Sequence, residues 1–275
     1  MHVHQGIILG IVQGLTEFLP VSSSGHLVLG QMLFGITKPQ LAFDISVHFG
    51  TLLAVVVVYF ADIRAMVSSV FRFCLALVSS GNVSDLIAED TNLKMAGLVI
   101  LGSVPTALIG LGLKRYEDVL FASPVLVGCM LIVTGSFLWA SRKFYDSDGR
   151  PDSLGSAKAL AVGAVQGIAV IPGISRSGST IAAAMFMGVD RSTAARFSFL
   201  LLVPAVAGAE ILNLKDVFSA GFSIDPVIVY ATIISFITGL IALKILLRLV
   251  HTGRFHLFAP YCWLVGGLVI LAKFI

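Results

Sequence analysis

The sequence predicts an all-α polytopic membrane protein of about six transmembrane helices and two re-entrant helical hairpins, arranged as an inverted-topology repeat. Three observations lead there. Of the 275 residues, 57% are hydrophobic and only 12% are charged, and the mean hydropathy of +0.98 is far above that of a water-soluble domain. Several apolar stretches approach the roughly 20 residues a helix needs to cross a hydrocarbon core. Two further apolar stretches are broken at their centres by Pro, Gly and Ser, and they resemble each other.

Taken in order, the chain opens with the first broken stretch, residues 5–35, centred on Pro20-Val21-Ser22-Ser23-Ser24-Gly25. Irregular backbone at membrane depth is tolerated only where protein or a cavity surrounds it, so this stretch reads as two half-helices that dip in and return. The start, Met1-His-Val-His, has no basic region, and Glu17 and Pro20 interrupt the first apolar run, which fits a cleaved signal peptide poorly. The N-terminus is therefore expected to be retained. Full spans are expected over about 41–60, 93–113 and 123–141. Between the first two, Asp62 to about Ser80 carries Arg64 and Arg72 and reads as a helix lying along the surface. Residues 81–92 and 142–157 are polar loops. The second broken stretch, 157–190, follows, and then spans over about 194–213, 226–249 and 256–275. Nothing marks a linker, so residues 1–275 are expected to form a single integral membrane domain.

The broken stretches align at an offset of 153 residues. Gly10, Val12, Gln13 and Gly14 then fall on Gly163, Val165, Gln166 and Gly167, while Ser22, Ser24 and Gly25 fall on Ser175, Ser177 and Gly178. Ser23 falls on Arg176. An internal repeat, approximately 5–140 and 157–275, accounts for these identities better than chance recurrence of Gly and Ser. If each broken stretch returns to its side of entry, Arg64, Arg72, Lys94, Arg142, Lys143, Arg150, Lys158, Arg191, Arg196, Arg248 and Arg254 share one face. Only Lys38, Lys114, Arg115, Lys215 and Lys273 fall on the other. The positive-inside rule places the first group in the cytoplasm and both termini outside. The repeats are then inverted, and their serine-rich tips can meet at depth.

Composition also excludes functions. A net charge of +3, with basic residues in short loops rather than on an aromatic-studded face, argues against nucleic-acid binding. Cys74, Cys129 and Cys262 are far apart among apolar residues and read as core filler rather than metal ligands or a disulfide.

The chemistry-bearing residues lie in the two tips. Gln13 and Glu17 are four apart, on one face of a half-helix, and could hold a divalent cation or orient a water. An ionised Glu17 is costly to bury alone, so a cation or Arg176 should accompany it. His26 could move protons, with Ser22, Ser23 and Ser24 supplying a nucleophile nearby; structural hydrogen bonding is the plainer role for each. In the second tip, Arg176 stands among Gly173, Ser175, Ser177, Gly178, Ser179 and Thr180 at an expected half-helix N-terminus. Such a set of donors suits phosphate oxygens, with pairing to a carboxylate as the structural alternative. Asp44 and His48 read as a helix-end pair, with support of the site as the alternative. Lys244, Arg248 and Arg196 read as side chains reaching to the membrane interface.

These residues resemble the bacterial undecaprenyl-diphosphate phosphatase family, also known for bacitracin resistance. Its first signature, Glu or Gln, three residues, then Glu, is matched by Gln13 and Glu17 and runs on into Pro20 through His26. The second, Pro-Gly-x-Ser-Arg-Ser followed closely by Thr, is matched by Pro172 through Thr180. The likeness extends over nearly the whole chain, including Phe43-Asp44, Gly50-Thr-Leu-Leu-Ala-Val and Phe197-Ser-Phe-Leu-Leu with Pro204. It implies a phosphatase of the bacterial cytoplasmic (inner) membrane that hydrolyses undecaprenyl diphosphate to undecaprenyl phosphate and inorganic phosphate, recycling the carrier for cell-wall synthesis. A divalent cation, Mg2+ or Ca2+, and a site opening outward are implied too. Carried over by position, Glu17 becomes the acidic metal or substrate ligand, Ser23 and His26 the nucleophile and base candidates, and Arg176 the diphosphate clamp. The motif does not decide whether Ser23 or an activated water attacks phosphorus. Gln13 stands where many relatives have a second glutamate, which leaves one carboxylate for a cation. Partners beyond the polyprenyl diphosphate are membrane lipids, and oligomeric state is left open, a homodimer among the options. A lipid-carrier flippase built on the inverted repeat and a head-group anchor without catalysis are the rival readings.

Overall fold

A computed structural model of the chain describes residues 1–36, 40–78, 86, 88–144, 154–219 and 225–272. Lys38, Arg150 and Lys273, which entered the charge count, lie outside these, as do most of the two polar loops. Among the described residues the elements are helices: α1 (Val3–Phe18), α2 (Ser23–Leu33), α3 (Leu41–Val58), α4 (Phe60–Val78), α5 (Thr91–Lys114), α6 (Glu117–Phe121), α7 (Pro124–Ser141), α8 (Ser156–Ile168), α9 (Arg176–Phe186), α10 (Arg191–Ser219), α11 (Pro226–His251) and α12 (Ala259–Leu271). Short 3-10 turns follow α7 and precede α12.

Five helical segments are long and apolar enough to cross a membrane: Leu41–Val58, Thr91–Lys114, Pro124–Phe144, Arg191–Asn213 and Pro226–His251. Each falls on an expected span. The sixth, expected over 256–275, is a shorter apolar segment, Phe255–Leu271. The stretch from Asp62 is helix α4, of whose residues only Ser69 is buried, consistent with a helix kept at the periphery. Helix starts follow local chemistry. Asp90 accepts from the Asn92 and Leu93 backbone N–H groups at α5, and Ser123 and Asp225 cap α7 and α11 just ahead of Pro124 and Pro226, where a missing N–H costs nothing.

The broken stretches are helix pairs. Helices α2 and α9 have 11 residues each, about 16 Å at 1.5 Å per residue, half of what a span requires. Each begins one residue after a serine cap, and Ser22 and Ser175 are related by the 153-residue offset; Ser22 accepts from Gly25 N–H and Ser175 from Gly178 N–H. The two short helices thus share length and side-chain cap, while the cap backbones differ, Ser22 at φ 69° and Ser175 at φ −76°.

Packing between the halves is reciprocal. Helix α1 lies along α11, and its counterpart α8 lies along α5. The same aligned glycine makes both approaches close. A Cβ on Gly10 would stand 2.7 Å from the Ala231 carbonyl oxygen, and one on Gly163 would meet the Gly102 carbonyl, with Gly102 Cα 2.9 Å away. Thr106 Oγ1 donates to Gly163 O at 2.8 Å across the second contact. The buried core behind the tips is built from Phe18, Val99, Val162, Phe197, Phe199 and Leu201.

Three expectations change. Cys74 and Cys129 are exposed, so only Cys262 is core filler; the other two lie on outward-facing helix surfaces, where an apolar thiol is no misfit against lipid. Arg196 donates through Nε to Asp62 Oδ1 at 2.7 Å instead of merely reaching for the interface. Asp44 and His48 do not form an isolated helix-end pair, as the site geometry shows.

Candidate active site

The two tips meet. Ser22 Oγ accepts from Gly173 N–H at 3.0 Å, and Ser177 Oγ donates to Phe18 O at 2.9 Å. The first crossing joins two residues of unusual backbone. Gly173 has φ +98°, and Ser22, at φ 69°, is the one non-glycine residue with positive φ among those described. A strained serine at a site is informative, because surrounding contacts must hold it there. The Ser22 carbonyl, which accepts the first helical N–H from His26 at 3.2 Å, also lies 2.8 Å from His26 Nδ1. The N-termini of α2 and α9 are thereby brought to one place, where two sets of first-turn N–H groups and two helix dipoles favour an anion.

Glu17 sits at this junction, its side chain 2% exposed. One oxygen, Oε1, pairs with Arg176 Nη2. The other, Oε2, accepts from Ser23 Oγ at 2.5 Å and from Gln13 Nε2 at 2.8 Å, with His48 Nε2 3.8 Å away. The accompanying charge that Glu17 demands is therefore Arg176, contributed from 159 residues along the chain. Asp44 accepts from Gln31 Nε2 at 2.8 Å through Oδ1, while His48 Nδ1 lies 2.7 Å from Asp44 O. Of these two residues of α3, His48 is the one beside the acid, and Asp44 supports it from one turn earlier.

The remaining expected residues divide by what their hydroxyls do. Thr180 Oγ1 donates to Arg176 O at 2.8 Å, and Ser175 Oγ accepts from Gly178 N–H at 3.1 Å. Together with Ser22 and Ser177 these are buried builders of the tip, so the groups facing a ligand are fewer than the motif suggests. Ser24 Oγ is 3.4 Å from Ser22 Oγ. His26 does not reach Ser23. Its Nε2 is 2.8 Å from Tyr261 Oη, a residue of α12.

For a cation, Gln13 and Glu17 offer limited donors. Gln13 uses its amide N–H on Glu17, and its Oε1 is buried without a partner. Among the described residues there is no group of three or more His, Cys, Asp and Glu able to hold a metal ion. The pair fits a Mg2+-like ion that keeps waters and takes phosphate oxygens, not a cage supplied by protein alone.

Sequence reasoning missed Thr134 and Tyr261. Thr134, buried in α7, donates to Gly173 O and accepts from Ser175 N–H, both at 3.0 Å, and so fastens the second tip. A threonine in mid-span was the available signal. Tyr261 gave none, being one aromatic among many at a helix start.

Fold and site define a class: a polytopic helical membrane protein whose two half-membrane hairpins meet to form a buried site of one acid, one arginine and clustered hydroxyls. Comparison with known proteins places it further. The family model described as bacitracin resistance protein BacA matches residues 6–268, and the chain belongs to that family. A relative from Desulforapulum autotrophicum, named undecaprenyl-diphosphatase, is 55% identical over 275 residues, covering 100% of both chains. Others of that name, from Desulfosudis oleivorans and Korarchaeum cryptofilum, are 52% and 42% identical, each match covering 97% of both chains.

Proposed function

We propose that this chain is an integral membrane phosphatase that hydrolyses undecaprenyl diphosphate to undecaprenyl phosphate and inorganic phosphate, returning the carrier lipid to cell-wall synthesis. The observation that carries the reading is the convergence of Glu17, Ser23 and Arg176 at two facing helix N-termini, in a chain 55% identical over its length to a relative bearing that activity as its name.

The geometry suggests a division of labour. The diphosphate is drawn to the α2 and α9 N-termini and to Arg176, whose planar guanidinium grips phosphate oxygens and stabilises charge as it develops. Ser23 Oγ–H already points at Glu17 Oε2, so Glu17 is the base that takes its proton as Ser23 attacks the terminal phosphorus. The bond from that phosphorus to the bridging oxygen breaks, and the lipid monophosphate leaves. Water then attacks the phosphorus of phospho-Ser23, the bond from phosphorus to Ser23 Oγ breaks as Glu17 returns its proton to that oxygen, and inorganic phosphate leaves with the water's oxygen and its remaining hydrogens. Glu17 and Gln13 Oε1 are the residues that would hold a divalent cation, Mg2+ or Ca2+, beside the diphosphate. When bound, it supplies charge neutralisation on phosphoryl oxygens.

The same reading makes the chain one membrane domain of inverted repeats, approximately 5–140 and 157–275, with both termini and the site opening on the outer face of the inner membrane. The bias of Arg and Lys between loops supports that sidedness. Phosphate release from a polyprenyl diphosphate by the purified protein in detergent micelles, with and without Mg2+ or Ca2+, tests the activity. Turnover that is lost in Glu17→Ala is expected. Substrate binding with no phosphate formed under any condition would overturn it.

A further inference from the structure

The chain has two tryptophans, and both stand at one place outside the active site. Trp139, in the last turn of α7, and Trp263, in the second turn of α12, have ring centroids 5.7 Å apart. Two details hold them there. Gly135 lets α12 approach so closely that a Cβ on it would stand 2.7 Å from Trp263 Cδ1, and Trp263 Nε1 donates to Ser136 Oγ at 3.3 Å. The 3-10 turn Arg142–Phe144 follows directly. Together these residues wall a pocket of about 410 Å³, lined by Ser136, Trp139, Arg142, Lys143, Phe144 and Trp263.

Position and charge select an occupant. The apolar span that contains α7 runs from Pro124 to Phe144, so Arg142 and Lys143 lie at its end, at a bilayer surface whichever way the chain is oriented. Both are exposed, and among the described residues neither has a carboxylate partner. Arg142 Cζ lies 4.0 Å from the centroid of the Trp139 ring. A guanidinium stacked in this way is already oriented and keeps its N–H edge for phosphate oxygens. Lys143 adds a second positive charge. Beyond the pocket, the exposed face of α7 continues into the bilayer through Phe137 and Val133, 39% and 40% exposed, an apolar strip along which acyl chains can lie. A phosphate carried on hydrocarbon chains fits both parts, and two cations without an acid favour a head group of net negative charge over a zwitterionic one.

We infer that this pocket binds an anionic phospholipid, with its phosphate on Arg142 and Lys143 and its chains along α7. The site is separate from the Glu17–Arg176 centre but shares a helix with it. Thr134, which fastens the second tip to α7, directly precedes Gly135, on which Trp263 packs. The bound lipid therefore braces the helix that holds the tip.

Because both tryptophans line the pocket, intrinsic fluorescence reads it directly. The whole protein is reconstituted in phosphatidylcholine vesicles, and phosphatidylglycerol with brominated chains, which quench indole, is compared with brominated phosphatidylcholine at equal mole fractions. At about fivefold preference per basic side chain near a bilayer surface, the wild type is expected to favour phosphatidylglycerol by roughly 25-fold. Lys143→Gln should reduce the preference to about fivefold, and Arg142→Gln with Lys143→Gln should abolish it. Arg64→Gln with Arg248→Gln, which removes the same charge from exposed positions elsewhere, should leave it unchanged. Glycerol phosphate, the same group without chains, should not relieve the quenching. Equal quenching of the wild type by both lipids, or quenching by neither, as a second copy seated on the pocket would produce, would overturn the site. So would a preference that survives the double substitution or falls equally in the Arg64 and Arg248 control, or relief by glycerol phosphate.

Discussion

Arg176→Ala removes the cationic partner of a carboxylate that cannot move into water. The Glu17 side chain is 2% exposed and that of Arg176 24%, so the acid keeps its full desolvation penalty when the guanidinium is gone. Breaking a buried pair from one side costs about 3–5 kcal/mol. Two donors stay on Glu17, Ser23 Oγ and Gln13 Nε2, and they offset part of it, which puts the expected loss near the lower figure. At about 1.4 kcal/mol per tenfold, that is a fall of roughly a hundredfold in the ratio of folded to unfolded protein. Unfolding of the purified protein by SDS added to mild detergent micelles measures it. Replacing both partners by amides, Glu17→Gln with Arg176→Gln, removes the stranded charge as well. That variant should regain most of the stability and none of the phosphate release. An Arg176→Ala protein as stable as wild type would refute the argument that the pair fastens the two tips, and turnover by the double amide would refute the assignment of the clamp and base.

Further expectations concern the scaffold. Gly163→Ala drives a methyl into the Gly102 backbone and should lose about 1–3 kcal/mol, read as a lower thermal midpoint in detergent, whereas Gly97→Ala meets nothing within 4 Å and should be neutral or slightly stabilising. Thr134→Val strands the Gly173 carbonyl and the Ser175 N–H, buried groups worth about 1–3 kcal/mol each when unpaired, and should raise KM for diphosphate by loosening the second tip. Outside the membrane, the Leu93 backbone N–H, helped by Ser69, Asn92 N–H and Arg72, holds the Asp90 carboxyl below its usual range. A depressed acid stabilises above its unfolded value and loses that contribution as pH falls through the folded one. The stability gap between wild type and Asp90→Asn should therefore be present at neutral pH and close below about pH 4, followed by melting at a series of pH values.

Much of this architecture was legible because two different signals agreed. Hydropathy alone located the long helices, since each full span is a continuous apolar run. The hairpins were legible from Pro, Gly and Ser at membrane depth, and the 153-residue offset anticipated that Ser22 and Ser175 occupy equivalent caps. The partner of Glu17 could be narrowed to a cation or Arg176 because burial allows little else. What stayed hidden depended on packing between distant segments. Whether His26 faces Ser23 or Tyr261 is decided by how α12 docks beside α2, and no local pattern encodes that. His48 was read as a helix-end residue because its i, i+4 relation to Asp44 is local, while its proximity to Glu17 arises from the placement of α3 against α1. The donor-rich second tip looked like a ligand cradle from composition, yet several of its hydroxyls hold the backbone that forms it.

The two members of the Glu17–Arg176 pair are 159 residues apart in the chain, and this separates them in time as well. At about 5–20 residues per second, the ribosome needs roughly 8–30 s after adding the acid before it adds the arginine. During that interval the first hairpin contains a carboxylate for which the membrane has no counter-charge. Nascent Glu17 therefore lacks the guanidinium that pairs it in the folded protein until the second hairpin arrives. Biogenesis of this protein has a waiting step built into it, and arrival of the arginine is the event that ends it.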